Sequence, residues 1–229
     1  MLKAIILDFN GVILDDEPLH FAAMRETVAH FGVDLTKDVY WARYLPFDDR
    51  QCLEAICRDF SLTLGAEEVS RTLARKAGIY RQLISKNFRL FPGAVEFIQM
   101  TAARYPLALA SGARRDEIES TLESTSLRSY FVIIVAAEDF VRGKPHPESF
   151  LLALEGLNRV LNGTLIKPSE CLVVEDSASG VQGAVAAGMK CLAVTNSYSP
   201  DKLGAASKIV GSLKEVQLNS LQTLFEATE

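Results

Sequence analysis

Four short segments of the sequence carry reactive side chains at or after the ends of apolar runs. Asp8 follows KAIIL, Ser111 follows PLALA, the Glu175-Asp176 pair follows CLVV, and Lys144 lies in a Gly-Lys-Pro segment after VIIV. A lone acid at such a position is often only the cap of the next helix. An acid, a hydroxyl, an amine and an acid pair together indicate phosphoryl transfer. A carboxylate can attack phosphorus, oxygen ligands hold Mg²⁺, and the hydroxyl and ammonium stabilise charge on the transferring oxygens.

Apolar runs that alternate with helical patterns predict the elements that position these side chains. The runs are residues 3–8, 106–110, 132–135, 171–174 and 191–194, and the helical patterns cover 93–104, 115–123, 147–157 and 180–187. Continuous apolar runs suit strands that are buried on both faces of a parallel sheet. The alternation predicts an α/β fold with a doubly wound, Rossmann-like parallel sheet. Active sites of such sheets lie at the carboxyl ends of the strands.

The stretch from residue 16 to residue 88 interrupts the alternation with helical patterns only. Pro18 suits the first turn of a helix that would end at Gly32, and further helical patterns cover residues 50–60 and 66–86. We therefore expect an α/β core domain of residues 1–15 and 89–229, with an inserted all-helical cap domain of residues 16–88.

The bulk composition argues against several classes of partner. The formal net charge is −5, which is unfavourable for binding a nucleic acid or an anionic membrane. No apolar stretch approaches the roughly 20 residues that a membrane span requires. The apolar run before Asp8 is too short for a signal peptide. We expect a cytoplasmic protein with no nucleic-acid partner and no membrane partner, and the sequence carries no signal for an oligomeric state.

The reactive segments resemble the motifs of a known superfamily. DFNGVILDDEPLH, LALASGA, GKPHPESF and VVEDSASGVQGAVAAGM resemble the four motifs of the haloacid dehalogenase superfamily, in order and over nearly the whole chain. The helical insert directly after the first motif resembles the cap of the β-phosphoglucomutase and phosphoglycolate phosphatase branch. The resemblance implies a Mg²⁺-dependent enzyme that acts on a small phosphorylated metabolite through an aspartyl-phosphate intermediate.

The resemblance also implies a role for each matching residue. Asp8 would attack phosphorus, Ser111 would bind a phosphoryl oxygen, and Lys144 would steady both that oxygen and Asp8. Mg²⁺ would bind Asp8 and Asp176, with Glu175 nearby, and the backbone carbonyl of residue 10.

Asn10 departs from the family pattern. The position two residues after the nucleophile is usually an Asp that acts as general acid and base. An amide keeps the backbone metal contact but cannot shuttle a proton, and general acid–base catalysis is typically worth ~10²–10⁴-fold. Three explanations are open: an engineered substitution that traps a complex, a natural variant that uses another acid, or a protein that binds phosphate without rapid turnover.

Other residues are candidates for the proton shuttle or for binding the substrate. Asp16 could replace the missing acid or could cap the following helix, and His20 could face the substrate or pack within that helix. Gly112 and Arg114 follow Ser111, and related mutases place a cation at the position of Arg114. Arg114 could instead be a solvated residue in the first turn of a helix.

Arg50 is the candidate from the cap segment that contacts substrate in relatives. The β-phosphoglucomutases carry an Arg in this loop, whereas Asp49 stands at the nearest position here, which favours a simple phosphatase. The alternatives are a hexose-phosphate mutase of the β-phosphoglucomutase type and a catalytically impaired phosphate-binding protein. Dehalogenation is disfavoured because the dehalogenases of this superfamily use no metal, whereas Glu175-Asp176 suits one.

Overall fold

Six parallel strands form one sheet in this computed structural model, which describes residues 1–45, 47–84, 88–161, 163 and 165–226. The strands are β1 (Ala4–Leu7), β2 (Leu107–Ala110), β3 (Phe131–Val135), β4 (Cys171–Glu175), β5 (Lys190–Val194) and β6 (Lys208–Val210). Their order in the sheet is β3-β2-β1-β4-β5-β6. The order reverses between β1 and β4, and a crevice forms at the carboxyl ends of strands where such a reversal occurs. The predicted α/β fold with a Rossmann-like parallel sheet is confirmed.

The helices divide between two compact units of the chain. The unit that contains the sheet, Met1–Asp15 with Leu90–Glu229, also holds α5 to α9, and the unit Asp16–Arg89 holds α1 to α4. The helices are α1 (Glu17–Ala29), α2 (Lys37–Arg43), α3 (Asp49–Asp59), α4 (Ala66–Ile84), α5 (Ala94–Ala102), α6 (Arg115–Ser124), α7 (Glu148–Val160), α8 (Ala178–Ala186) and α9 (Leu218–Thr223). The helix predicted to reach residue 86 ends at Ile84, and residues 85 and 86 lie outside the described residues.

Burial on both faces of the sheet explains the continuous apolar runs. Every residue of β1, β2 and β4 is buried. Ala4 and Ile6 belong to the cluster that includes the buried side chains of α7 and α8, whereas Ile5 and Leu7 point to the opposite face and are also fully buried. Each fully buried Leu or Ile stabilises the fold by ~1.5–3 kcal/mol.

The register of the strands brings the reactive positions to one edge of the sheet. Leu7 pairs with Leu109 of β2 and with Val174 of β4. Asp8 therefore leaves the sheet at the level of Glu175, and Ser111 follows one residue beyond the end of β2. The sheet holds these residues in place through the backbone hydrogen bonds of its central strands.

Three elements were not predicted from the sequence. They are β6, α2 and α9, and each is short. Of the three residues of β6 only Val210 is buried, so the strand has no apolar run that would mark it. Among the described residues, no helix combines the length and the apolar character needed to cross a bilayer.

Candidate active site

The carboxyl ends of β1 and β4 bring three acids together in the sheet unit. Asp8, Glu175 and Asp176 are buried, and one carboxylate oxygen from each lies within 4.8 Å of the others. Lys144 Nζ lies 3.0 Å from Asp8 Oδ1 and 2.5 Å from Glu175 Oε1. Lys144 does not end a strand: it lies in the turn that precedes α7. The structure thus joins residues from three of the four reactive segments in one cluster.

The cluster carries more negative charge than its own residues can neutralise. Burial raises the pKa of Asp8 to about 6, with Lys144 opposing the rise and Glu175 adding to it. Burial raises the pKa of Asp176 well above its usual range, and repulsion by Glu175 and Asp8 adds to the rise. Three carboxylates and one ammonium leave a formal charge of −2. A divalent cation with a preference for oxygen ligands, such as Mg²⁺, fits this donor set and this charge.

Glu175 is held by donors from the protein on both of its oxygens. Oε1 accepts a hydrogen bond from Lys144 Nζ, and Oε2 accepts from the Asp176 and Ser177 N–H groups and from the Ser177 hydroxyl at 2.9–3.0 Å. Gly180 leaves room for this carboxylate, since a Cβ at that position would overlap it. This geometry equips Glu175 to orient Lys144 beside Asp8, whether or not it also contacts a metal.

The turn after Asp8 depends on Gly11. Its φ is +76°, and a Cβ there would overlap the Asp176 carboxylate. The Gly11 N–H donates to the carbonyl of Leu14 at 2.9 Å. Asn10, half-buried, precedes Gly11 in this turn. The Asp176 carboxylate thus occupies the space that a side chain at residue 11 would need.

Replacing Gly11 with Ala is expected to disrupt the site more than the fold. Gly32 has a similar φ of +78° but open space around it, so Gly32→Ala is a matched control. Both variants should lose roughly 1–2 kcal/mol through the left-handed backbone. Only Gly11→Ala should also displace Asp176, and we expect its turnover to fall by roughly 10²-fold or more. Thermal unfolding and steady-state turnover of both variants check this, and equal turnover in the two would contradict it.

Ser111 lies beside this edge of the sheet, and the residues after it do not all point inward. Ser111 is buried, and its Oγ accepts a hydrogen bond from the Ala113 N–H at 3.1 Å. Gly112 is exposed. Arg114 is exposed at the start of α6, with its Nε 3.1 Å from Asp116 Oδ1, which fits a solvated residue in the first turn of a helix. A role for Gly112 or Arg114 in binding substrate stays a prediction.

A second polar cluster lies inside the helical unit. Asp16 Oδ2 accepts a hydrogen bond from the Tyr80 hydroxyl at 2.7 Å and lies 3.1 Å from His20 Nε2. Lys76 is almost fully buried, with its Nζ 2.5 Å from His20 Nδ1 and 2.6 Å from Asp49 Oδ1. The rings of His20 and Tyr80 stack with their centroids 4.2 Å apart. The acids offset the cost of burying the Lys76 ammonium.

The contacts of this cluster place His20 between a cation and acids. Lys76 Nζ and Asp16 Oδ2 lie at its two ring nitrogens. Burial lowers the pKa of His20, but the hydrogen bonds to Asp16 and Asp49 outweigh it and raise that pKa to about 9. Asp16 stands at the N-cap position of α1 without a side-chain capping bond, so its interpretation as a simple helix cap is wrong.

Sequence reasoning missed several residues of both clusters. Lys76 and Tyr80 lie within a helix rich in charge and gave no local signal of burial. Asn196 donates from Nδ2 to the Gly11 carbonyl at 2.7 Å. This residue follows β5, so attention to every carboxyl end of the sheet would have found it. Arg50, by contrast, was predicted and is exposed near the start of α3.

Known proteins are similar to this chain in sequence. The model of the haloacid dehalogenase-like hydrolase family matches residues 5–194. The phosphorylated carbohydrates phosphatase of Thermotoga maritima is 32% identical over 193 residues, which are 82% of this chain and 83% of that protein. Fructose-1-phosphate phosphatase YqaB of Escherichia coli is 30% identical over 191 residues, which are 83% of this chain and 95% of that protein.

Solved structures share the fold. The structure of β-phosphoglucomutase from Clostridium difficile has a TM-score of 0.80 at 23% identity, and the alignment covers 98% of this chain and 97% of that one. The resemblance predicted from the four motifs is confirmed by the match to the family model and to the two phosphatases. The chain belongs to the haloacid dehalogenase-like hydrolase family, and it is a phosphoric-ester hydrolase of that family.

Proposed function

We propose that this hydrolase is a Mg²⁺-dependent phosphatase of small phosphorylated sugars, and that it acts through an aspartyl-phosphate on Asp8. The observation that carries the proposal is the buried group of Asp8, Glu175 and Asp176. Lys144 forms ion pairs with Asp8 and Glu175 of this group. Mg²⁺, when bound, would supply positive charge to the phosphoryl oxygens and orient the phosphate. Asp8 and Asp176, with the backbone carbonyl of Asn10, would hold it.

Residues of the chain itself carry out the other catalytic roles. Asp8 attacks phosphorus through a carboxylate oxygen, the ester oxygen leaves, and water then hydrolyses the aspartyl-phosphate. Lys144 stays protonated because Asp8 and Glu175 raise its pKa despite burial, so it can stabilise negative charge on the transferring oxygens. Ser111, buried after β2, would donate to one of those oxygens.

The relatives favour a sugar phosphate as substrate. One of them is named for phosphorylated carbohydrates and another for fructose 1-phosphate. We propose that Asp16, His20 and Arg50 of the helical unit, and Gly112 and Arg114 of the sheet unit, take part in substrate binding. A slower enzyme, or one that binds its ligand without rapid turnover, is favoured by a single observation, namely the amide at position 10.

Turnover of a panel of sugar phosphates with and without Mg²⁺ tests the proposal. We expect activity that requires Mg²⁺ and is lost in EDTA. Asp176→Asn should raise the Mg²⁺ concentration needed for half-maximal activity by roughly 10-fold or more, because a carboxylate ligand is replaced by a neutral one. Asp201→Asn, at an exposed acid of the same unit, is the control. Full activity in EDTA, or an unchanged Mg²⁺ requirement in Asp176→Asn, would rule out the proposed metal site.

A further inference from the structure

The loop that follows β5 contacts the turn after Asp8 at the candidate metal site. Asn196 Nδ2 donates to the Gly11 carbonyl at 2.7 Å, across 185 positions of sequence. Asn196 is half-buried. A residue that follows β5 therefore reaches the turn that carries the Asn10 carbonyl.

The contact made by Asn196 completes the restraint of the Gly11 backbone. The Gly11 N–H donates to the Leu14 carbonyl at 2.9 Å. The carbonyl of Asn10 shares a trans peptide with this N–H and points the opposite way. Asn196 then fixes the next peptide through the Gly11 carbonyl. With both peptides held, the Asn10 carbonyl points in one direction. Without these hydrogen bonds, the conformational freedom of Gly11 would let the turn adopt many conformations.

We propose that Asn196 is a positioning residue of the Mg²⁺ site and that it directs the backbone carbonyl of Asn10. The inference rests on the proposed function, and it adds a third strand end to the metal site. Partners that orient metal ligands typically contribute 10–100-fold to metal affinity.

Direct titration of Mg²⁺ by calorimetry tests the inference without reference to turnover. Asn196→Ala should weaken Mg²⁺ binding by roughly 10–100-fold. Asn158 is a matched control in the same unit, because its amide exchanges two hydrogen bonds with the backbone of Ile166 at 2.8 and 2.9 Å, away from the acids. Asn158→Ala should lose stability and keep the Mg²⁺ affinity.

The outcomes separate this inference from the proposed function. If the wild-type chain does not bind Mg²⁺, the proposed function fails and the inference fails with it. If the wild type binds Mg²⁺ and Asn196→Ala binds it equally well, Asn196 only stabilises the loop and the inference alone is overturned. Should Asn196→Ala not fold, Asn196→Asp decides, because it keeps the shape of the side chain but loses the Nδ2 donor.

Discussion

Replacing Asp8 with Asn is expected to abolish phosphate hydrolysis, with a loss of roughly 10⁴-fold or more, the scale seen when a nucleophile is removed. An amide of the same shape cannot attack phosphorus as a carboxylate does. Steady-state turnover and trapping of phosphate on the protein measure the loss. Asp201→Asn, at an exposed acid, should retain full turnover. Near-normal hydrolysis by Asp8→Asn would assign the nucleophile to another residue.

The same variant should be more stable than the wild type when no metal is added. Burial raises the pKa of Asp8 from 3.8 to about 6, so the unfolded chain binds fewer protons than the native chain between these values. Stability is therefore lost as the pH rises toward 6, and the penalty is fully present above it. Asp8→Asn removes the penalty, and its melting temperature should exceed that of the wild type at pH 8 but not at pH 4. An inactive and unstable variant would instead indicate that Asp8 supports the fold.

Replacing Asn10 with Asp is expected to raise turnover by roughly 10²–10⁴-fold on esters with poor leaving groups, the usual scale of general acid–base assistance. A carboxyl group at this position can protonate the leaving oxygen and then take a proton from the attacking water. Aryl and acyl phosphates leave without such help and should gain less. The wild-type chain should hold its aspartyl-phosphate longer than Asn10→Asp, which rapid-quench measurement of the phosphorylated protein detects.

Asp16→Asn is the comparison that decides where the proton shuttle lies. Asp16 is buried and accepts hydrogen bonds within the helical unit instead of capping α1. If Asn10→Asp changes nothing while Asp16→Asn is inactive, Asp16 performs the shuttle. If neither variant hydrolyses any phosphate ester, the interpretation as a phosphate-binding protein replaces the enzyme.

The sheet could be predicted because its central strands are buried on both faces. An interior strand such as β1, or β4 up to its last residue Glu175, is apolar at successive positions, and that leaves a continuous run in the sequence. The edge strand β6 has only Val210 buried, and so it leaves no such mark. The helices α5 to α8 of the sheet unit were predicted to within a few residues, since each buries one face and shows the corresponding period, whereas the short α9 was not predicted.

The candidate site could be predicted only where a reactive residue directly follows a strand. Asp8 and Asp176 satisfy that condition, and register alone brings them together. Lys144 lies in a turn, and its place beside Asp8 was expected from the resemblance. Lys76 looks like part of a solvated helix face, but it is buried because Asp49 and His20, on other helices, receive its ammonium. Contacts of that kind depend on tertiary packing and leave no local pattern.

The point at which the helical unit enters the sheet unit has a consequence for engineering. Leu14 and Leu90 form an antiparallel bridge, and the Phe91 N–H donates to the Ile13 carbonyl at 2.9 Å. The two chain segments that flank the helical unit are therefore hydrogen-bonded neighbours. A short linker could join them at a small entropic cost of loop closure. The junction therefore suits the exchange of one helical module for another. A different helical module could be grafted there while the acids at the sheet edge keep their arrangement.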